Sequence, residues 1–261
     1  MATVVNRKTG EILALVASCP GFVATVGQSL ISTPNTPIKI ILFKSSDDGK
    51  TWSAGEDITS QIYGTQCKVP TRTSWYAAFV TSGNGLQLST GRIIFVINVR
   101  ENNQTAIRTF KNYALYSDDG GKSWSVSKNG PVNDLGGNES KIVELVDGRL
   151  LMSTRPNRGN KRMHSYSSDY GETWTKAEPK NYIIVASSNV DMIYYTSIKN
   201  GWDTNRIIHF IPTSTITISG EGQYNCELVL QIRFSIIALT MGQTLLKVKL
   251  LETDNKLVIL H

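Results

Sequence analysis

Alternating apolar and polar residues mark three hairpins along the chain: VVNRKTGEILALVAS, GLQLSTGRIIFVINV and KIVELVDGRLLMSTR. Each turns through a short polar segment that ends at Gly10, Gly91 or Gly148. A period of two on either side of a Gly turn marks two antiparallel strands. A third apolar stretch follows each hairpin, in IKIILFKSSDDGKTW, NYALYSDDGGKSW and MHSYSSDYGETW, and a short fourth comes after it, as in TWSAG and TWTKA. Four-stranded antiparallel units repeated along one chain are what a β-propeller is made of. Two further units are less regular. One runs from DMIYYTSIKNGWDTNRIIHFIP through TITISGEGQYN, and the other holds IIALTMGQTLLKVKLLETDNKLVIL. Helical periodicity is nearly absent. The expectation is an all-β chain, a β-propeller with about five four-stranded antiparallel blades, forming one domain over residues 1–261.

The turn between third and fourth strands is written almost identically each time: SSDDGKTW from Ser45, SDDGGKSW from Ser117 and SSDYGETW from Ser167, with SGEGQY as a decayed copy. Its Asp (Asp47, Asp119, Asp169) can accept backbone N–H bonds within the turn. Its Gly (Gly49, Gly121, Gly171) permits a positive φ. Its Trp (Trp52, Trp124, Trp174) is placed to pack the hairpin against the blade. Three identical acids exceed what one catalytic centre uses, so the phrase is read as frame.

Composition narrows the chemistry. No apolar run is long enough to span a bilayer, and MATVVNRKTG turns polar too soon for a signal peptide. Cys19, Cys67 and Cys226 are an odd number without metal-ligand spacing, which favours buried free thiols. His164, His209 and His261 are too scattered for a zinc site or a Ser-His-Asp triad. A net charge of +6 and a pI near 9.2 favour acidic partners. Lys and Arg form no stripe interleaved with aromatics, so an anionic small ligand or glycan fits better than nucleic acid.

The three phrases resemble the Asp-boxes of sialidases (neuraminidases), which are six-bladed propellers. GNGLQLSTGRIIF is similar to that family's Gly-x-Gly-(Ile/Leu)-Gln-Leu segment. GGNESKIVELVDGRLLMSTRPNRGNKRMHSYSSDYGETW is similar to the segment carrying its catalytic Glu, an active-site Arg and the next box. The resemblance implies a retaining exo-α-sialidase: three arginines clamp the sialoside carboxylate, a Tyr activated by Glu attacks, and an Asp is the acid/base. Carried onto this chain, Glu139 matches the activating base and Arg155 the middle clamp arginine. Gln87 and Asn84 match positions lining the sugar pocket, whereas Arg158 and Arg162 are taken to decorate the loop after Arg155. Sialylated glycans are the implied partners, with no nucleic acid and no membrane span, and the chemistry requires no metal or organic cofactor.

Several family features have no match. No Arg-Ile-Pro motif or following acid/base Asp precedes VVNRKTG, so the chain is expected to begin inside the second blade. No Arg stands between His209 and Gly220 to supply the third clamp. The Tyr expected to open the last blade is replaced by Phe234 in RFSIIALTMG, with Tyr224 the nearest alternative. Activity of this chain alone is thus expected to be very low, and the alternative is a non-catalytic propeller that binds sialic acid or another glycan.

Overall fold

A computed structural model of the chain describes residues 1–18, 20–22, 31–104, 109–184, 189–202, 205–212, 234–240 and 245–249. Its strands, in chain order, are β1 (Ala2–Val5), β2 (Ile12–Ala17), β3 (Ile40–Ser45), β4 (Glu56–Asp57), β5 (Ala77–Val80), β6 (Gly83–Asn84), β7 (Leu86–Gln87), β8 (Ile93–Arg100) and β9 (Lys111–Ser117). There follow β10 (Ser125–Val126), β11 (Gly137–Glu144), β12 (Leu150–Pro156), β13 (Lys161–Ser167), β14 (Glu178–Ile184), β15 (Asp191–Thr196), β16 (Arg206–Pro212), β17 (Phe234–Thr240) and β18 (Leu245–Lys249). They form four sheets, β4-β3-β2-β1-β6, β10-β9-β8-β5 with β7 also on β8, β11-β12-β13-β14, and β15-β16-β17-β18. No helix among the described residues is long and apolar enough to cross a membrane.

The three hairpins read from the sequence are β1–β2, β7–β8 and β11–β12, and the start of the first less regular unit is β15–β16, all antiparallel. One strand was not legible. The partner of β8 is split, with β5 pairing Val80 to Ile97 and β7 pairing Gln87 to Ile93. Between them β6 leaves for the first sheet and pairs in parallel with β1. Gly85 makes this detour possible, because a Cβ there would lie 2.5 Å from the Phe95 ring.

One strand also falls in a different unit from the one expected. Phe234–Thr240 was expected to open a further blade, yet it pairs in unbroken register with β16, from Pro212↔Phe234 to Arg206↔Thr240. It is therefore the third strand of the fourth sheet among the described residues. TITISGEGQYN, the third strand offered for that unit, lies outside the described residues. So do Cys19 and Cys226, while Cys67 is a buried free thiol.

Each Asp-box closes on itself. The first Ser hydroxyl donates to the Asp carboxylate at 2.9, 2.8 and 2.8 Å in the three copies. The same oxygen accepts the box Gly N–H at 2.9, 2.7 and 2.8 Å. Asp Oδ1 takes the N–H of the Thr or Ser four residues on, at 2.9 Å each time. Its Oδ2 takes that residue's hydroxyl at 2.6 Å each time. Partial burial opposes ionisation of Asp119, but the Ser123 and Ser117 bonds outweigh it and bring the carboxyl down to about 2. Two successive residues carry positive φ in every copy: Asp48–Gly49, Gly120–Gly121 and Tyr170–Gly171. Two successive left-handed residues reverse the chain sharply inside the box, and glycine at the second position adopts that conformation without a Cβ penalty.

The boxes also join sheets. Trp124 packs with Leu13, Leu15 and Phe95 between the first and second sheets, and Trp174 with Leu88, Ile94 and Met152 between the second and third. Trp124 and Trp174 are 5% and 6% exposed, whereas Trp52, on the outer flank of the first sheet, is 44% exposed. Removing a buried aromatic leaves a cavity as well as losing transfer energy. Trp174→Ala is therefore expected to destabilise the protein by about 3–5 kcal/mol and Trp52→Ala by no more than about 1–2 kcal/mol. Urea unfolding of both variants checks the ranking, and equal losses would refute the assignment of Trp174 to the sheet interface.

Candidate functional site

The third sheet has two distinct ends. Glu144, Leu150 and Ser167 lie across from one another at the box end, and Gly137 pairs with Pro156 at the other. Near that far end the register of β11 slips between Gly137 and Ser140. Such a bulge bends the strand and re-aims a side chain. Here the two residues inside it are Asn138 and Glu139, opposite the single residue Arg155.

A polar network holds the bulge. Asn112 Nδ2 donates to Asn138 O at 2.7 Å, Asn138 Nδ2 to Asn157 Oδ1 at 2.7 Å, and Asn157 Nδ2 to Gly137 O at 2.9 Å. The Glu139 N–H donates to Asn138 Oδ1 at 3.0 Å. Ser140 Oγ bonds Thr154 Oγ1 at 2.9 Å, tying β11 to β12 one residue before Arg155. With the backbone fixed on both sides, Arg155 Nη1 donates to Glu139 Oε2 at 2.7 Å. The two side chains are 22% and 23% exposed, so the pair is accessible but partly withdrawn from water.

Gln87 and Asn84 stand elsewhere. Gln87 lies in register with Ile93 and, through it, Ser117, at the box end of the second sheet. Its Oε1 accepts the Arg7 N–H at 2.7 Å and its Nε2 donates to Asn6 Oδ1 and Gly91 O at 3.2 and 3.1 Å. That amide fastens one hairpin turn to another. Asn84 is exposed on β6 opposite Thr3. Both line a cavity of about 510 Å³ together with Lys141, Asp191 and Tyr194, and neither Glu139 nor Arg155 forms part of its wall.

Arg162 corrects the sequence reading. Expected to decorate a loop, it lies in β13 and is 0% exposed. The strand begins at Lys161, so its alternation turns Arg162 inward instead of leaving it in the loop. Its Nε and Nη2 donate to Ser153 Oγ and O at 3.2 and 2.6 Å. Burial lowers its pKa to about 9, with nearby Glu139 opposing and Arg155 adding to the effect. Arg162 thus remains a cation at neutral pH.

His164 and His209, far apart in sequence, meet across the third and fourth sheets with ring centroids 5.7 Å apart and planes at 20°. No group of three or more metal-ligating side chains forms among the described residues. Tyr224 lies outside the described residues, and Phe234 is described only as the first backbone position of β17.

These features define a repeat-built β-propeller with a carboxylate–guanidinium pair at the end opposite its Asp-boxes. Residues 1–204 match the family model described as a BNR repeat-like domain. A sialidase of Bacteroides fragilis is 30% identical over 201 residues, covering 76% of this chain and 33% of that protein. A sialidase of Clostridium perfringens is 29% identical over 184 residues, covering 69% of this chain and 45% of that protein. A Hadza microbial sialidase of known structure aligns with a TM-score of 0.70 at 23% identity, over 94% of this chain and 43% of that one. The chain belongs to the sialidase family of BNR-repeat propellers. It spans between about a third and just under half of the length of these two curated relatives.

The histidine pair makes acid stability a measurable property. Burial pushes the imidazole of His164 down to about 2 and that of His209 to about 3, with His209 adding to the first and Arg162 acting on both. The unfolded chain takes up these protons below about 6.5, whereas the folded chain does not until far lower. Stability contributed by neutral histidines is therefore present above about pH 6.5 and lost as pH falls toward about 3. The slope is up to about 1.4 kcal/mol per pH unit for each histidine. Unfolding free energies measured between pH 7 and pH 5 should fall in the parent and fall less steeply in His164→Phe and His209→Phe. Unchanged slopes in both variants would refute this.

Proposed function

We propose that this chain contributes the activating base and one carboxylate-clamping arginine of an exo-α-sialidase-type glycoside hydrolase that releases terminal sialic acid from glycoconjugates with retention. The observation that carries this reading is the 2.7 Å contact between Glu139 Oε2 and Arg155 Nη1, one-fifth to one-quarter exposed at the end of the sheet away from the boxes. A guanidinium there suits the carboxylate that distinguishes a sialoside from neutral sugars, because charge-assisted N–H···O bonds are strong and directional. Glu139 bonds Arg155 through Oε2, and Oε1 is the oxygen left to accept a proton from a hydroxyl nucleophile. An uncharged hydroxyl can approach a centre next to the sialoside carboxylate without the repulsion a carboxylate nucleophile meets.

A second reading has its own support. The position matched to the family's nucleophilic Tyr is Phe234, which has no hydroxyl and stands in β17 of the fourth sheet. Without a nucleophile the same Glu–Arg end would serve a propeller that binds sialylated glycans and turns nothing over.

A fluorogenic sialoside separates the two. Hydrolysis by the parent is expected to be weak and to fall about 10²–10⁴-fold in Glu139→Ala, the range for loss of a general base, with the thermal midpoint unchanged. Equal turnover in both proteins would overturn the role given to Glu139. If the parent turns nothing over, chemical-shift changes on titrating free sialic acid, lost in Arg155→Ala, would favour the binding reading.

A further inference from the structure

Arg162, His164 and His209 form a buried layer that the proposed chemistry does not use. They are 0%, 2% and 0% exposed, and the stacked imidazoles place the layer between β13 of the third sheet and β16 of the fourth. Arg162 Nη1, Arg155 Nε, His164 Nε2 and both ring nitrogens of His209 have no hydrogen-bond partner among the described residues. Buried polar atoms are normally paired, and a group of them without partners calls for an unseen ion or water.

The charges around the layer point to an ion. On the third sheet Glu139, Arg155 and Lys141 lie near Arg162 and Lys180 near His164, and Asp191 of the fourth sheet faces Lys141. Glu139 is paired with Arg155 at 2.7 Å, and Asp191 stands 3.7 Å from Lys141. Both carboxylates are thereby engaged. Arg162 makes no ion pair among the described residues, its bonded nitrogens going to the neutral oxygens of Ser153. Water could satisfy its free N–H but would leave a fully buried cation uncompensated, which is costly. A metal ion would be repelled by Arg162 and would find too few ligands.

We propose that a small monovalent anion of halide size binds between the third and fourth sheets, held by the Arg162 guanidinium and the N–H groups of His164 and His209. One negative charge balances the Arg162 guanidinium, which makes no ion pair among the described residues. A spherical acceptor takes N–H bonds from several directions and leaves each neutral imidazole free to choose the tautomer that donates to it. The site is separate from any glycan site, since Arg162 is inaccessible to a sialoside. The proposal therefore stands or falls independently of the hydrolase reading.

Bromide is the probe. Crystals of the parent soaked in sodium bromide should show an anomalous peak within hydrogen-bond distance of Arg162 Nη1. In solution, sodium bromide should raise the thermal midpoint above its value in sodium gluconate of equal ionic strength, by roughly 2–4 °C at saturation. Arg162→Gln should lose that rise. His209→Phe, which keeps a ring in the stack, should reduce it and covers the case in which Arg162→Gln does not fold. An anion beside the imidazoles favours their protonated forms, so bromide should also lessen the loss of stability in acid. A water at Arg162 Nη1 with bromide found only at surface positions, or an equal midpoint rise in His209→Phe and the parent, would overturn the proposal.

Discussion

The contact between the second and third box glycines, Gly121 and Gly171, and an aliphatic side chain of the preceding sheet sets the spacing of the wheel. A Cβ at Gly121 would fall 2.8 Å from Leu13, and one at Gly171 would fall 2.7 Å from Ile94. Both glycines also carry φ of +91°, which an L side chain rarely adopts. Two independent demands, turn conformation and close approach, thus meet on one residue. The Asp–Thr or Asp–Ser bonds hold the turn in the shape that presents this bare edge to the neighbour. The tryptophan beside it fills the remaining space. Local hydrogen bonding and long-range packing are satisfied by the same eight residues, which explains why the phrase recurs where catalysis gives it no role.

Sheet-to-sheet contacts change character around the wheel. Between the first two sheets a large apolar cluster runs from Leu13 and Ile40 to Ile97 and Leu115, with the Asn6–Gln87 contact at its box end. Between the third and fourth it is apolar only toward the box end, where Val143, Leu151, Met192 and Ile207 meet. Toward the other end the same face carries Lys141, Arg162 and His164, opposed by His209. Alternation along β11 and β13 puts these charges in line with the apolar residues below them. The wheel is thus cemented by hydrophobic burial at one end and by polar and ionic contacts beneath the Glu139–Arg155 pair.

What was legible in the sequence follows the range of each interaction. The boxes were legible because their bonds run between residues two and four apart, as from Ser167 to Asp169 and Gly171. The hairpins were legible because alternation and a Gly turn are local signals. The β5–β6–β7 detour was not, since it depends on a parallel pairing of residues about 80 positions apart, which leaves no periodic trace. Arg162 was misplaced for a related reason. Hydropathy assigns an arginine to the surface, and only the start of β13 at Lys161 determines which way residue 162 turns. Glu139 and Arg155 came from motif resemblance, but the bulge that brings them together is a feature of register. Gln87 carried a motif signal too, and its amide is spent on fastening turns at the box end.

The division between the two ends has a chemical consequence. An ion pair placed on a loop would lose its alignment to side-chain and backbone freedom. Here Glu139 sits in a bulge whose neighbours are bonded to β9, to β12 and to one another, so little of that freedom remains. Partial burial then strengthens the field that the pair presents to a ligand without excluding the ligand itself. The network achieving this contains mainly Asn, Ser and Thr, neutral groups that orient the charged pair without competing with it for an anion. A charged residue in place of Asn138 or Asn157 would disturb both the bulge and the local potential. Neutral amides at the rim and charges in the pair are therefore one arrangement, and the rigid box end is what lets the opposite end be built from polar contacts at all.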